Sequence, residues 1–457
     1  MTFSRQTLNC WISALVLGLM SMQFVHAETL QTPSVSAEES AQEDVTYKFQ
    51  ATYIWQRKSA FNSPRVDGPN SLGSAIARSY TATETAYLGF RPWTNGELYF
   101  NPEITQGVPF SDLAGTGGFT NGELTRTAGT YPKLYRQRLF LRQTFGLGGG
   151  EEHIDSDINQ MAGTVDKNRL VLTVGNFSTL DVFDDNKYAK DPRTQFMNAG
   201  FMAPLAYDYA ADARGFGWGF TLEWLQDDWA YRIGRMTGPK DPNMLPTDYR
   251  IFKHYGDQIE VEHSYNLMGQ PGKVRVLAWR NKANIASFKD ALAYLKAPGN
   301  TESQAILAVR NGEKIKYGLG INIEQDINEN VGFFMRAMKA DGKTETLAFT
   351  ETDGSIGTGL SIKGSNWQRP KDTLGIGFLY NTISKERRDY LAAGGISFFL
   401  GDGYLNYRPE QIFETYYSLN AWKNFYITAD YQRTWNPGYN ADRGPVDFGA
   451  LRFHIDF

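Results

Sequence analysis

Arg136, Arg138 and Arg142 fall within one short stretch, Leu134 to Gly146, at even-numbered positions shared with Phe140 and Thr144. Leu139, Leu141, Gln143 and Phe145 take the odd ones. If the stretch is a β-strand, the three guanidiniums share one face. A guanidinium stays charged at any working pH and presents several N–H donors in a planar fork, which suits it to replace water around a carboxylate, a phosphate or a hydroxyl-rich solute. Arg169 and Thr173 repeat the pattern against Leu170, Leu172 and Val174. The same alternation turns Tyr99, Glu103, Glu223, Glu260, Glu262, Glu324, and Arg452 with Asp456, to that side of their own segments. Opposed basic and acidic groups across a narrow wet passage set up a transverse field and supply donors and acceptors to a solute in transit. The competing reading makes them salt bridges bracing a wall, but three cations in one strand without an interleaved acid repel at that spacing.

Catalysis finds little to work with. Past residue 27 the histidines are His153, His254, His263 and His454. His263 shares the apolar face of its segment with Ile259 and Val261, His153 and His254 lie in connections, and His454 has no serine beside it on its own strand. No metal-ligand spacing occurs, and the single cysteine, Cys10, falls in the leader described below. The expectation is no enzyme, no metal and no cofactor.

The elements that must position the arginines are strands. From Val45 onward Tyr47, Phe49, Ala51, Tyr53 and Trp55 alternate with Lys48, Gln50, Thr52 and Gln56, and at the C-terminus Leu451, Phe453, Ile455 and Phe457 alternate with Arg452, His454 and Asp456. Sixteen such segments are predicted near 46–56, 82–92, 96–105, 134–146, 168–177, 217–225, 229–237, 257–267, 272–281, 315–326, 330–339, 355–363, 372–380, 409–420, 424–434 and 446–457. Very short connections such as 93–95, 226–228, 327–329 and 421–423 alternate with long ones such as 57–81, 106–133, 178–216, 282–314 and 381–408. That is the signature of an all-β transmembrane antiparallel barrel of about 16 strands, with short periplasmic turns and long extracellular loops. Two places fit less well: 147–167 is long for a periplasmic turn, and Gly394 to Leu400 has the look of an extra strand. Trp93, Trp229 and Trp422 at the short turns suit a membrane interface. In such a barrel the arginine face has to be the lumen, because each arginine turned to lipid near the midplane costs about 2–4 kcal/mol.

Composition agrees. Mean hydropathy is −0.43, and no run after the N-terminus approaches a spanning helix, whereas a barrel strand needs only half its residues apolar. A net charge of −4 without a basic tract argues against nucleic acid as a partner. Arg5, the apolar run Trp11 to Met20, and Val25-His26-Ala27 read as a secretory signal peptide, residues 1–27. Residues 28–44, with Glu28, Glu38, Glu39, Glu43 and Asp44, read as an acidic periplasmic lead-in, and 45–457 as the barrel. That lead-in is too short for the plug of a TonB-dependent transporter.

Longer strings carry a resemblance. Asp191-Pro192-Arg193-Thr194-Gln195-Phe196-Met197-Asn198, Tyr209 to Gly215 leading to Trp218-Gly219, Arg142 to Gly149, Tyr390 to Gly395, Gly401 to Tyr407 with Pro409-Glu410-Gln411, and Asn436-Pro437-Gly438-Tyr439-Asn440 resemble the carbohydrate-selective, OprB-like porins across nearly the whole chain after the leader. The resemblance implies sixteen antiparallel strands narrowed by inward-folded loops, in the outer membrane of a Gram-negative cell, passing monosaccharides and similar polyols. The expected partners are carbohydrate solutes, outer-membrane lipid and the barrel assembly machinery that reads a terminal Phe457, with monomer and homotrimer both left open. The expected constriction joins Arg136, Arg138, Arg142, Arg169 and Glu103 with the loop residues Asp191, Arg193, Asp212 and Arg214. For the loop residues an equal alternative is that they hold the loop's own fold, Asp191-Pro192 being a turn starter. A general diffusion pore and a structural or adhesive barrel remain the competing functions.

Overall fold

A computed structural model describes residues 42–457 apart from 66, 125–127, 301–303 and 350. The expected signal peptide and most of the lead-in lie outside the described residues. Among these, sixteen strands close into one antiparallel barrel: β1 Val45–Lys58, β2 Ala77–Trp93, β3 Gly96–Val108, β4 Gly129–Gly146, β7 Arg169–Phe177, β8 Gly217–Gln226, β9 Trp229–Met236, β10 Tyr255–Leu267, β11 Gln270–Asn284, β12 Glu313–Asn328, β13 Val331–Ala340, β14 Gly354–Gly364, β15 Arg369–Thr382, β16 Glu410–Trp422, β17 Phe425–Trp435 and β18 Val446–Asp456. Each corresponds to one predicted segment, with ends that move by a few residues. β1 pairs β18 and seals the sheet, so no edge strand is left to template aggregation.

The alternation has the physical cause expected of it. Tyr47, Phe49 and Tyr53 on β1 stay exposed toward lipid, while Gln50, Thr52 and Gln56 are buried inside. Two-residue turns join neighbours on the periplasmic side, where Asn95 and Asp227 take positive φ, as tight turns demand and short polar side chains tolerate. Trp93 and Trp422 stand more than half exposed beside such turns. Phe457 continues the seam: its N–H donates to the Phe49 carbonyl at 2.9 Å, and the two rings stack with centroids 6.5 Å apart.

The two doubtful places resolve differently. Residues 147–167 contain a small hairpin, β5 Glu151–Ile154 with β6 Gly163–Asp166, tied to the barrel by Glu152 accepting from Arg169 at 2.7 Å. Gly394 to Leu400 is not a strand. It follows the helix Lys385–Ala392 and turns back on itself, Ser397 N–H donating to the Leu400 carbonyl at 2.8 Å.

Between Leu134 and Gly146, β4 breaks its own period once. Asn101 lies opposite Arg138 and Pro102 opposite Arg136, so Gln137 is an extra residue, a β-bulge. Below it Arg138, Phe140 and Arg142 face the lumen; above it the faces exchange, and Tyr135 rather than Arg136 pairs with the inward Glu103.

Candidate functional site

After Phe177 the long loop 178–216 turns into the barrel, started by a capping box in which Ser178 and Asp181 satisfy each other's backbone N–H groups. A loop leaving water must find a partner for its own backbone. Here the far wall supplies them. Glu260 of β10 accepts from Asp184 N–H and Glu324 of β12 from Lys187 N–H, both at 2.8 Å. Glu414 of β16 accepts from Met197 and Asn198 N–H at 2.5 and 3.0 Å. Arg336 of β13 donates to the carbonyls of Ala189, Phe201 and Asp184 and pairs with the Asp184 carboxylate at 3.0 Å. Arg452 of β18 donates to the carbonyls of Pro192 and Gln195 at 2.9 and 2.7 Å. Burial pushes the Asp184 carboxyl up, with Arg336 opposing the rise. Phe196 and Phe201 stack at 4.5 Å and pack on Phe334 and Tyr416. Gly332 and Gly377 let the loop come this close, since a Cβ would stand 2.0 Å from the Tyr188 ring or 2.6 Å from that of Phe201.

With the loop held to β10–β18, open space remains along β3, β4, β7 and β8. It is a corridor of about 960 Å³, running from Phe119, Phe349 and Phe399 to Ile154, Ile158 and Asn159 of the β5/β6 turn. Down its wall stand three guanidiniums. Arg138 makes two parallel bonds to Asp181, 2.8 and 2.7 Å, and lies 5.0 Å over the Phe216 ring. Arg142 donates to the Asn159 carbonyl at 2.9 Å and lies 3.6 Å from Glu97. Arg169, 2.7 Å from Glu152, closes the series at the periplasmic end. On the loop side Lys190 pairs with Asp185 at 2.5 Å. Burial alone would raise Asp181 and Asp185, but the charges of Arg138 and Lys190 hold both below the ordinary carboxylate value. Eight basic and eight acidic side chains line the corridor, so it carries no net charge.

Residues 89–457 match the family described as carbohydrate-selective porin, OprB family. The chain belongs to this family. Among curated proteins no sequence matches it significantly. Among solved structures, OprB of Pseudomonas putida is similar at 15% identity and a TM-score of 0.67, covering 90% of this chain and 94% of that one. OccK2 (OpdF) of Pseudomonas aeruginosa is similar at 8% identity and a TM-score of 0.46, covering 91% and 98%, and a loop-deletion form of Vibrio cholerae OmpT at 10% and 0.46, covering 91% and 100%. Only the first likeness bears on the fold. Membership makes this an outer-membrane porin of a Gram-negative cell, a channel for passive diffusion of carbohydrates.

Within this OprB-family barrel, the residues expected at the constriction divide. Arg138, Arg142 and Arg169 line the corridor together. Arg136 does not, and its expected lumen position is corrected: the bulge at Gln137 turns it outward, over the Trp218 ring at 5.0 Å. Glu103 is buried and saturated, accepting from Thr85, Gln137, Tyr135 and Arg193. Arg193 is spent on the same cluster, 2.7 Å from both Glu103 and Glu123, and ties the loop to β3. Burial pushes the Glu123 carboxyl up, Arg193 opposing. Asp191 accepts from Arg193 N–H and the Thr194 hydroxyl, and Asp212 accepts from Arg214 and Phe216 N–H, so both shape the loop's own turns. Arg214 lies 4.3 Å over the Tyr135 ring at the corridor's outer end.

The expected transverse field is corrected as well. Glu260, Glu262 and Glu324 face inward but are covered by the loop and paired with Arg232 and Arg275. The acids that meet the ladder are instead Asp181 of the loop, Glu97 at the start of β3 and Glu152 of the β5/β6 hairpin. Sequence reasoning missed Gln137 and the aromatic lining Phe119, Phe216, Phe349 and Phe399. These rings come from separate loops, and no periodicity marks them.

Proposed function

We propose that monosaccharide-sized, uncharged sugars pass along the corridor beside β4, with Arg138, Arg142 and Arg169 as the donors that replace lost hydration. The observation that carries this is the charge balance of the lining, in which cations sit beside acids of the opposite sign. Such a surface offers many donors and acceptors at short range and no net potential that selects an ion. A hydroxyl-rich solute gains from the first property and is indifferent to the second. Rings at the outer end, Phe119, Phe216, Phe349 and Phe399, give the apolar faces of a sugar somewhere to lie.

Purified protein in liposomes should admit glucose-sized sugars much faster than disaccharides or dipeptides of similar mass. Rates ordered by mass alone would indicate a general diffusion pore and sink the selectivity assigned here. We also infer that residues 1–27 are a removed leader and that Phe457 is read during assembly, so deleting Phe457 lowers outer-membrane yield; normal yield would refute that role.

A further inference from the structure

The bulge that takes Arg136 out of the lumen places it in a second site on the outer side of the wall. A recess of about 380 Å³ opens there, lined among others by Arg136, Arg214, Lys240, Trp218, Tyr249 and Asp212. Its floor is the pair Asn176 and Trp218, opposed at the extracellular ends of β7 and β8. Next below on the same face is the pair Val174 and Phe220, exposed to lipid at 45% and 38%. The recess therefore sits where the apolar wall meets the headgroup layer.

Its chemistry is that of an anion site. Arg136 lies over the Trp218 ring at 5.0 Å with one guanidinium nitrogen 3.5 Å from Asn176 Oδ1, and Arg214 lies over Tyr135 at 4.3 Å. Lys240 reaches in from the loop above. Asp212 is the one carboxylate of this lining, and its Oδ1 is taken by backbone N–H groups of Arg214 and Phe216 at 2.8 and 3.3 Å. Two cations, Arg136 and Lys240, thus face an acid whose Oδ1 is already engaged. We propose that this recess binds the phosphate-bearing headgroup of an outer-leaflet lipid. The guanidinium fork of Arg136 and the ammonium of Lys240 take the phosphate oxygens, since planar and point cations both suit that group. Trp218 and Tyr249 flank the headgroup in the manner of interfacial aromatics, and the acyl chains run down over Val174 and Phe220. A free phosphate has no use for that apolar continuation.

The test uses the full barrel in neutral detergent, titrated with micelles carrying bisphosphorylated lipid A, the same lipid with its phosphates removed, and inorganic phosphate. Saturable binding is expected for the first alone, weakened about tenfold or more by Arg136→Gln with Lys240→Gln. Lys240→Gln by itself, on an exposed loop away from the strands, should weaken it severalfold, which covers the case of a double variant that does not fold. Undiminished binding by Lys240→Gln and by the folded double variant overturns the site. Equal binding of the dephosphorylated lipid overturns the phosphate assignment, and full competition by inorganic phosphate overturns the lipid as its source.

Discussion

Replacing Arg138 and Arg142 together by Ala removes two positive charges from a lining that holds eight of each sign. Asp181 loses its ion-pair partner, while Glu97 loses Arg142 at 3.6 Å but keeps Arg91 at 3.4 Å. Counting only one carboxylate left uncompensated, a monovalent ion passing at about 6 Å in a medium of effective dielectric about 40 feels about 1.4 kcal/mol. Salt at about 0.1 M, with a Debye length of about 10 Å, reduces this to about 0.8 kcal/mol. A cation gains that amount and an anion loses it, so the cation-to-anion permeability ratio should rise about tenfold. Reversal potentials across planar bilayers under a salt gradient read this directly. In the same preparation sugar flux should fall relative to single-channel conductance, which stays the same or rises as the corridor widens. A double variant that folds normally yet keeps both its ion selectivity and its sugar flux would show that the ladder braces the wall and that solute passes elsewhere.

Arg336→Ala should leave Asp184 as an uncompensated buried charge and orphan three loop carbonyls, a loss of about 3–5 kcal/mol in loop docking. Noisy, enlarged single-channel currents are expected, and steady wild-type currents would refute the anchoring role. With residues 1–27 removed, as proposed, and Cys10 with them, Arg136→Cys and Arg138→Cys each carry a lone thiol; a bulky impermeant reagent added outside should label the first readily, while labelling of the second should slow when sugar is present. Equal behaviour at both positions would contradict the bulge at Gln137. The pH response follows from Asp181 and Asp185, both held low by Arg138 and Lys190 against burial. A carboxyl depressed on folding stabilises fully above its unfolded value, about 3.9, and that contribution is lost as pH falls through the folded value. Selectivity should therefore hold from neutrality down to about pH 4 and shift toward anions below it as Arg138 and Lys190 are released. A shift that sets in above the ordinary carboxylate value would assign the change to Glu123, whose carboxyl burial pushes up.

The sixteen strands were legible because each separates two solvents, and a period of two survives wherever lipid lies on one side and water or a polar loop on the other. β4 shows where that logic ends. Nothing in Arg136-Gln137-Arg138 announces that Gln137 will be skipped, since the bulge accompanies what Glu103 of the neighbouring strand takes from Tyr135 and Gln137. Glu260 and Glu324 were rightly turned inward yet wrongly exposed to the pore, because alternation fixes a face and not what later covers it. The helix Lys385–Ala392 and the turn after it were hidden for a related reason: inside a loop that packs on other loops, the pattern answers to several neighbours at once.

The loop anchors and the arginine ladder stand on opposite walls of one barrel. Glu260, Glu324, Arg336, Glu414 and Arg452 each serve a partner at least 76 residues away in sequence, so a change at any of them must be matched elsewhere to be tolerated. Arg142 and Arg169 lie instead beside open water, bound to partners 17 residues away in the neighbouring turn. One half of the cylinder is thus held to its sequence as a protein interior is, while the other can drift residue by residue. A lineage can exchange one permeant solute for another on the second half without reopening the question of whether the first still folds.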